Sequence, residues 1–84
     1  MAGKLTVYAL TTCGWCHKTI KWLEENNVAG EIIYVDKLMG AEREQIMEQI
    51  SRYNPSCSFP TLVLNNGQEV IVGFKPELME RKLL

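Results

Sequence analysis

Two cysteines, Cys13 and Cys16, stand two residues apart, directly after the strand-like run 4–10 and before the helix-like run 19–25. A Cys-x-x-Cys at the junction of a first strand and a first helix is typical of redox cysteines. One helical turn would bring both sulfurs within bonding reach, so the pair could open and close as a disulfide with little backbone movement. The positive end of the helix dipole would stabilise a thiolate on Cys13. We therefore expect thiol-disulfide chemistry here.

Length and composition limit what else the chain can be. Its 84 residues are enough for one domain, so a single domain over residues 1–84 is expected. Apolar residues at 46% and charged residues at 23% are ordinary for a globular domain and argue against disorder. The net charge of -1 gives no basic field that would attract nucleic acid or an anionic membrane.

The cysteine count and the start of the chain bear on the compartment. Three cysteines are an odd number, and residues 1–4 lead into the first predicted strand without the apolar stretch of a secretory signal. These features favour a reducing cytoplasmic compartment, where a Cys-x-x-Cys is more often catalytic or metal-binding than a permanent cross-link. The sequence has no run of 18 apolar residues, so no transmembrane helix is predicted.

The remaining chain supplies the elements that must position the cysteines. Runs rich in β-branched and apolar residues predict strands over 4–10, 31–36, 61–64 and 69–72. Helical periodicity predicts a helix that begins after a Thr12 or Cys13 cap, and others over 41–53 and 77–84. Cys16, Ile20 and Leu23 form the apolar stripe of the first helix, so Cys16 is expected to point inward. Asn66-Gly67 predicts a hairpin between the last two strands, and the order is β-α-β-α-β-β-α.

Three segments carry a resemblance to a known family. They are Cys13-Gly14-Trp15-Cys16 after the first strand, Phe59-Pro60-Thr61 before the third, and Gly73-Phe74-Lys75-Pro76 after the fourth. With them the sequence resembles the thioredoxin superfamily, and within it the glutaredoxins and glutaredoxin-like redoxins, over essentially the whole chain. The resemblance implies an α/β thioredoxin fold, in which a four-stranded mixed sheet is flanked by three helices.

The resemblance also implies roles for individual residues. The family's first cysteine is the nucleophile and its second the resolving thiol, which gives these roles to Cys13 and Cys16. The Cys13 thiolate would attack a substrate disulfide, and Cys16 would displace the product from the mixed disulfide while closing the internal bond. Pro60 is expected to be cis and to face the cysteines, and Phe59 to offer its backbone to an incoming peptide.

The segment after the fourth strand bears on the electron donor. Glutaredoxins that use glutathione carry a basic residue shortly before the first cysteine and a Gly-Gly after the fourth strand, whereas this chain has Thr11-Thr12 and Gly73-Phe74. Gly73-Phe74-Lys75-Pro76 resembles the Gly-Phe-Arg-Pro of NrdH-type redoxins, which pass electrons from a thioredoxin reductase to ribonucleotide reductase. A thioredoxin-reductase-type or ferredoxin-linked reductase is therefore expected in preference to a glutathione-like thiol, with protein disulfides as substrates. We expect a monomer with no built-in cofactor.

Residues around the motif are candidates for binding and modulation. Trp15 is expected to be partly exposed as an apolar platform for a partner protein, which Phe59 and Phe74 would extend. His17 lies four residues after Cys13, where an imidazolium would stabilise the thiolate. The alternative for His17 is a solvated surface position.

The role of Cys57 has several possible interpretations, one of which leads to metal binding as a second class of function. A small buried side chain is expected for Cys57, and the alternatives are a reactive thiol or a third metal ligand. Cys13, Cys16, Cys57 and His17 could in principle bind zinc or, in a dimer, an iron-sulfur cluster. Against metal binding, Cys16 and His17 point to different helix faces and the sequence lacks a second Cys-x-x-Cys. A non-catalytic interaction module, as a third class, would keep its function in Cys13→Ser.

Overall fold

The computed structural model describes residues 4–84, so the prediction about the start of the chain lies largely outside the described residues. The strands are β1 (Leu5–Ala9), β2 (Glu31–Tyr34), β3 (Thr61–Leu64) and β4 (Glu69–Val72). The helices are α1 (Gly14–Glu25), α2 (Gly40–Tyr53) and α3 (Pro76–Leu83), and their order along the chain confirms the prediction. None of these helices is long and apolar enough to cross a membrane.

The four strands form one mixed sheet in the order β2-β1-β3-β4. β1 runs parallel to β2, with Val7 opposite Ile32, and antiparallel to β3, with Val7 opposite Leu62. The parallel pair needs a crossover connection, which α1 provides. β3 and β4 form the predicted antiparallel hairpin. The structure thus confirms the α/β architecture of a mixed four-stranded sheet with three helices.

The core lies on both faces of the sheet because alternate strand residues point to opposite sides. On one face, Val7 and Ala9 pack in a cluster that includes Leu23 of α1 and Met79 of α3. On the other face, Tyr8 and Val63 pack with Ile50 of α2. Cys16 belongs to the α1 side of the core and has no exposed surface, which confirms that it points inward.

The ends of two elements shape the site, and one of them differs from the prediction. β2 ends at Tyr34, two residues early, because the chain enters a 3-10 turn at Val35–Lys37. Val35 is buried in this turn, while the next side chain, Asp36, is exposed and reaches Thr11. α2 ends at Tyr53, as predicted, and Asn54 is its C-cap, because a residue that precedes a proline disfavours helical dihedrals. Both ends place a polar side chain next to the loops that surround Cys13.

Candidate active site

Cys13 is the N-cap residue of α1, and its Sγ accepts the backbone N–H of Cys16 at 3.2 Å. A side chain at this position satisfies one of the N–H groups that the first helical turn leaves without a partner. Cys13 is half-buried and Cys16 fully buried, and both are free thiols. One sulfur is therefore accessible at the helix tip, and the other is held beneath it in the core.

The surroundings of the buried sulfur favour its protonated state. Burial, assisted by the hydrogen bond with the Cys13 side chain, raises the pKa of the Cys16 thiol from 9.0 to about 12. Cys16 is consequently a protonated thiol near neutral pH. The Sγ of Cys13 lies instead at the N-terminus of α1, where it accepts the backbone N–H of Cys16.

The loop before Cys13 is tied to the end of β2. Both carboxylate oxygens of Asp36 lie 3.1 Å from the backbone nitrogen of Thr11, which donates its N–H to them. The Thr11 hydroxyl also donates to Asp36, and these bonds hold the pKa of that carboxyl below its usual range. The N–H of Cys13 donates to the Leu10 carbonyl at 3.2 Å, so the loop forms a tight turn.

His17 contacts the same loop. Its Nε2 lies 2.7 Å from the Thr11 carbonyl oxygen, to which the ring donates. We call Thr11, His17 and Asp36 the outer anchor. Within residues 4–84 no hydrogen bond joins the His17 ring to the Sγ of Cys13, whose partners are the Cys16 N–H and the Phe59 carbonyl. That His17 stabilises a Cys13 thiolate stays a prediction.

The segment before β3 forms the other side of the site. The Phe59-Pro60 peptide bond is cis, as the resemblance implied. The Phe59 carbonyl oxygen lies 4.0 Å from the Sγ of Cys13. Pro60 is fully buried, and its carbonyl accepts the N–H of Gly73 at 2.8 Å. The structure thus brings the Phe-Pro segment to the cysteine pair and links it to the chain that leaves β4.

A hydrogen-bond network centred on two buried side chains, Asn54 and Thr61, holds this segment. Asn54 is 4% exposed, and its Nδ2 donates to the Ser58 carbonyl and Oγ, both at 3.1 Å, and to Thr61 Oγ1 at 3.0 Å. Asn54 Oδ1 accepts the N–H and the hydroxyl of Ser56 at 3.2 and 2.7 Å. Thr61 Oγ1 in turn donates to the Ser58 carbonyl at 2.7 Å. We call Asn54, Ser56, Ser58 and Thr61 the inner anchor.

An open groove of about 230 Å³ lies beside the contact between Cys13 and Phe59. It is lined by Trp15, Phe59, Gly73, Phe74 and Lys75. Trp15 is 58% exposed, which confirms its expected exposure, and its ring stacks on Phe74 with centroids 6.2 Å apart. The Nζ of Lys18 lies 4.7 Å from the centre of the Trp15 ring. The groove therefore combines an aromatic wall with a positively charged rim.

Cys57 lies in the loop between α2 and β3 and is half-buried, so it is more accessible than expected. Its backbone has a φ of 51°, in the left-handed region that residues other than glycine adopt uncommonly. Across residues 4–84 no group of three or more His, Cys, Asp or Glu residues could hold a metal ion. No observation therefore favours the metal-binding alternative over the redox prediction.

Sequence reasoning found the cysteines, the aromatic groove residues and the Phe-Pro segment, but it missed both anchors. Asn54 was interpreted only as the end of a helix, and Asp36 only as the end of a strand. An available signal was the spacing Asn54-x-Ser56-x-Ser58 before Phe59-Pro60. Asn and Ser side chains commonly hydrogen-bond nearby backbone groups in loops.

Comparisons with known proteins bear on the identity of this fold. The glutaredoxin family model matches residues 5–70. The methanoredoxin of Methanosarcina acetivorans superposes with a TM-score of 0.92 at 44% identity, over 98% of this chain and 85% of that one. The glutaredoxin of Methanosarcina mazei Go1 gives 0.84 at 46% identity, over 94% and 77%. A comparison with curated protein sequences found no match.

A more distant structure shows the fold alone. The NrdH-redoxin of Escherichia coli superposes with a TM-score of 0.75 at 23% identity, over 93% of this chain and 92% of that one. The family match, by contrast, runs from β1 to the start of β4 and includes both the cysteine pair and the Phe-Pro segment. This thiol-disulfide oxidoreductase therefore belongs to the glutaredoxin family of the thioredoxin superfamily.

Proposed function

We propose that the protein is a dithiol electron carrier that reduces protein disulfides, with Cys13 as the nucleophile and Cys16 as the resolving thiol. The observation that carries this proposal is that a half-buried sulfur at a helix tip, Cys13, is paired with a fully buried one, Cys16. The backbone nitrogen of Cys16 lies 3.2 Å from Cys13 Sγ. The first step of exchange needs an accessible thiolate. The second needs a thiol within reach of Cys13 that is shielded from outside disulfides, so that it attacks only the mixed disulfide.

The reaction takes place in two exchanges. The Cys13 thiolate bonds to one sulfur of the substrate disulfide, whose S–S bond breaks, and the other substrate sulfur leaves as a thiolate. Cys16 then gives up its proton and bonds to Cys13 Sγ, and the second substrate sulfur leaves. The substrate gains two electrons and the cysteine pair loses two. Cys13 carries no charge in the mixed disulfide, so its contribution to the raised pKa of Cys16 falls, and deprotonation becomes easier.

The groove is the proposed binding surface for the partner. Trp15 and Phe74 stack beside Cys13, and Phe59 presents its carbonyl to the same sulfur. Exposed aromatic side chains of this kind commonly anchor protein partners. Lys18 and Lys75 add positive charge at the rim, which would favour a partner with acidic residues near its disulfide.

For the electron donor, the proposal is a thioredoxin-reductase-type or ferredoxin-linked reductase in preference to glutathione. The support is Gly73-Phe74-Lys75, which lines the groove where the sequence resembles NrdH-type redoxins. Ribonucleotide reductase is one candidate disulfide substrate. We further propose that the protein acts in the cytoplasm as a monomer without a resident cofactor.

Cysteine variants test the proposed roles. With insulin as the disulfide substrate and dithiothreitol as the reductant, Cys13→Ser should reduce insulin no faster than dithiothreitol alone. Reduced Cys16→Ser, freed of dithiothreitol before insulin is added, should instead accumulate a mixed disulfide through Cys13, detectable by mass spectrometry, because the second exchange is blocked. Cys57→Ser is the matched control and should keep the activity of the unsubstituted protein. Unchanged activity in Cys13→Ser would contradict the mechanism and favour an interaction module.

A second experiment tests the electron donor. The oxidised protein is incubated separately with glutathione, with a flavin thioredoxin reductase plus NADPH, and with a ferredoxin-linked reductase plus reduced ferredoxin. Free thiols are then counted over time. We expect one of the enzymes to reduce the cysteine pair faster than glutathione does, and efficient reduction by glutathione at physiological concentration would overturn this part of the proposal.

A further inference from the structure

The inner anchor spans the Phe-Pro segment from both sides. Asn54 Nδ2 reaches Ser58, which directly precedes Phe59, and Thr61, which directly follows Pro60. The same side chain therefore fixes the chain before and after the dipeptide that faces Cys13. Both ends of this connection are buried, with Asn54 4% exposed and Thr61 fully buried.

The loop between these ends is closed by further bonds. The Asn54 carbonyl accepts the N–H of Cys57 at 2.8 Å, and its side-chain oxygen accepts two bonds from Ser56. Asn54 is itself fixed to α2, because its N–H donates to the Ile50 carbonyl at 2.7 Å. Within residues 4–84 every buried polar side-chain atom has a hydrogen-bond partner. The loop is thus a well-connected unit attached to the end of a helix.

Phe59 connects this loop to the site, so a shift of the loop would also move Phe59 relative to Cys13. Its carbonyl oxygen lies 4.0 Å from Cys13 Sγ, and its side chain packs against the core clusters on both faces of the sheet while lining the groove. Asn54 itself does not line the groove. Any influence of Asn54 on a bound partner must therefore pass through Ser58 and Thr61.

From these contacts we propose that Asn54 is a positioning residue, which sets the Phe59 edge of the groove relative to Cys13 and thereby the affinity for disulfide-containing polypeptides. The inference rests on the proposed function, since it takes Cys13 as the nucleophile and the groove as the binding surface. A small reagent needs only the Cys13 sulfur, whereas a polypeptide must also align with the Phe59 backbone. Displacing that edge should therefore weaken polypeptide binding and leave the reactivity of Cys13 unchanged.

Two variants interrupt the network without removing much volume. Asn54→Asp keeps the acceptors for Ser56 but replaces the amide donors to Ser58 and Thr61 with a carboxylate. Thr61→Val keeps the shape of the side chain and removes the hydroxyl that joins Asn54 to Ser58. Leu5→Ala is the control. Leu5 is buried at the start of β1, whereas Cys13 follows the other end of that strand, so truncating Leu5 should lower stability without removing a bond of the loop.

The experiment measures kcat and KM for insulin reduction, and separately the rate at which iodoacetamide alkylates Cys13 in the same variants. Folding of each variant is checked by circular dichroism. If Asn54→Asp does not fold, the kinetics of Thr61→Val decide the question. We expect KM to rise by about tenfold in the network variants, in line with the effect of misplacing a binding group. The alkylation rate should stay within about twofold, and Leu5→Ala should leave KM unchanged.

Other outcomes separate the inference from the function on which it rests. A KM unchanged in the folded network variants, or raised equally by Leu5→Ala, would overturn the positioning role and leave the proposed function intact. A slower alkylation that accounts for the whole loss of activity would also overturn it. If the unsubstituted protein does not reduce insulin, the proposed function fails, and the inference fails with it.

Discussion

Two loops meet at Cys13, and the molecule holds them in opposite ways. The loop before Cys13 is held by the outer anchor, in which the exposed carboxylate of Asp36 accepts the N–H and hydroxyl of Thr11. The loop that presents Phe59 is held by the inner anchor, in which the buried amide of Asn54 bonds to three residues of the same segment. The Asp36 carboxylate is charged and exposed to water, whereas the Asn54 amide is neutral and buried.

This difference predicts different behaviour of the two sides of the site. Breaking a buried network leaves donors and acceptors without partners in a medium of low dielectric, which is costly. An exposed bond competes with water at all times, and its loss costs little. The carboxylate can also be protonated, whereas the amide cannot. The edge that receives the substrate is therefore expected to be fixed at all pH values, and the loop that carries the nucleophile to loosen in acid.

The largest effect is expected from Asn54→Ala. It removes the side chain at the centre of the inner anchor and leaves Thr61 and the Ser58 carbonyl short of partners, so the free energy of unfolding should fall by about 2–4 kcal/mol. Urea denaturation followed by circular dichroism measures it. Asn26→Ala is the matched control, because Asn26 also ends a helix but makes one side-chain bond, to the Trp22 carbonyl. Equal losses in both variants would remove the distinction between the inner anchor and an ordinary helix end.

A smaller effect is expected from Asp36→Asn, and it should depend on pH. Asp36 has a lowered pKa in the folded state, so its contribution to stability is present above the ordinary value of 3.8 and is lost as the pH falls through the folded value. The free energy of unfolding is measured between pH 7 and pH 2.5 for both proteins. Below about pH 4 the unsubstituted protein should lose stability that Asp36→Asn does not lose. Parallel pH curves for the two proteins would show that the outer anchor contributes nothing through its charge.

The smallest effect is expected from His17→Ala, which removes one exposed bond of the outer anchor, to the Thr11 carbonyl. The free energy of unfolding should change by no more than about 0.5 kcal/mol, as for most surface substitutions. The rate of Cys13 alkylation at pH 7 tests the separate prediction that the imidazole stabilises the thiolate, although the ring contacts the Thr11 carbonyl. Lys21→Ala, one turn further along the same helix, is the control. A much slower alkylation in His17→Ala alone would show that the imidazole acts on the thiolate directly.

The parts of the molecule that could be predicted from the sequence are those governed by short-range patterns. The spacing of Cys13 and Cys16, the periodicity of α1 and the Asn66-Gly67 turn each involve residues close together in the chain. Asn66 and Gly67 do adopt the positive φ values that such a turn requires. Local signals of this kind fixed the element order and the direction in which Cys16 points.

The anchors could not be predicted because they depend on where the fold brings distant segments. Thr11 and Asp36 are 25 residues apart and meet only because β1 and β2 are parallel neighbours that end at the same edge of the sheet. Pro55 indicates that a helix ends just before it, but it gives no indication that the Asn54 side chain is buried. The left-handed backbone of Cys57 likewise follows from the closed loop around Asn54 and has no signature in a cysteine side chain.

The complete burial of Cys16 has a consequence for how partners use this protein. A sulfur with no surface of its own can be reached only through Cys13, so the pair has a single entrance. In the proposed mechanism, the reductase that reduces the cysteine pair and the substrate disulfide that oxidises it must bind to the same face one after the other. Steady-state kinetics should then follow an alternating, ping-pong scheme in which donor and acceptor exclude each other.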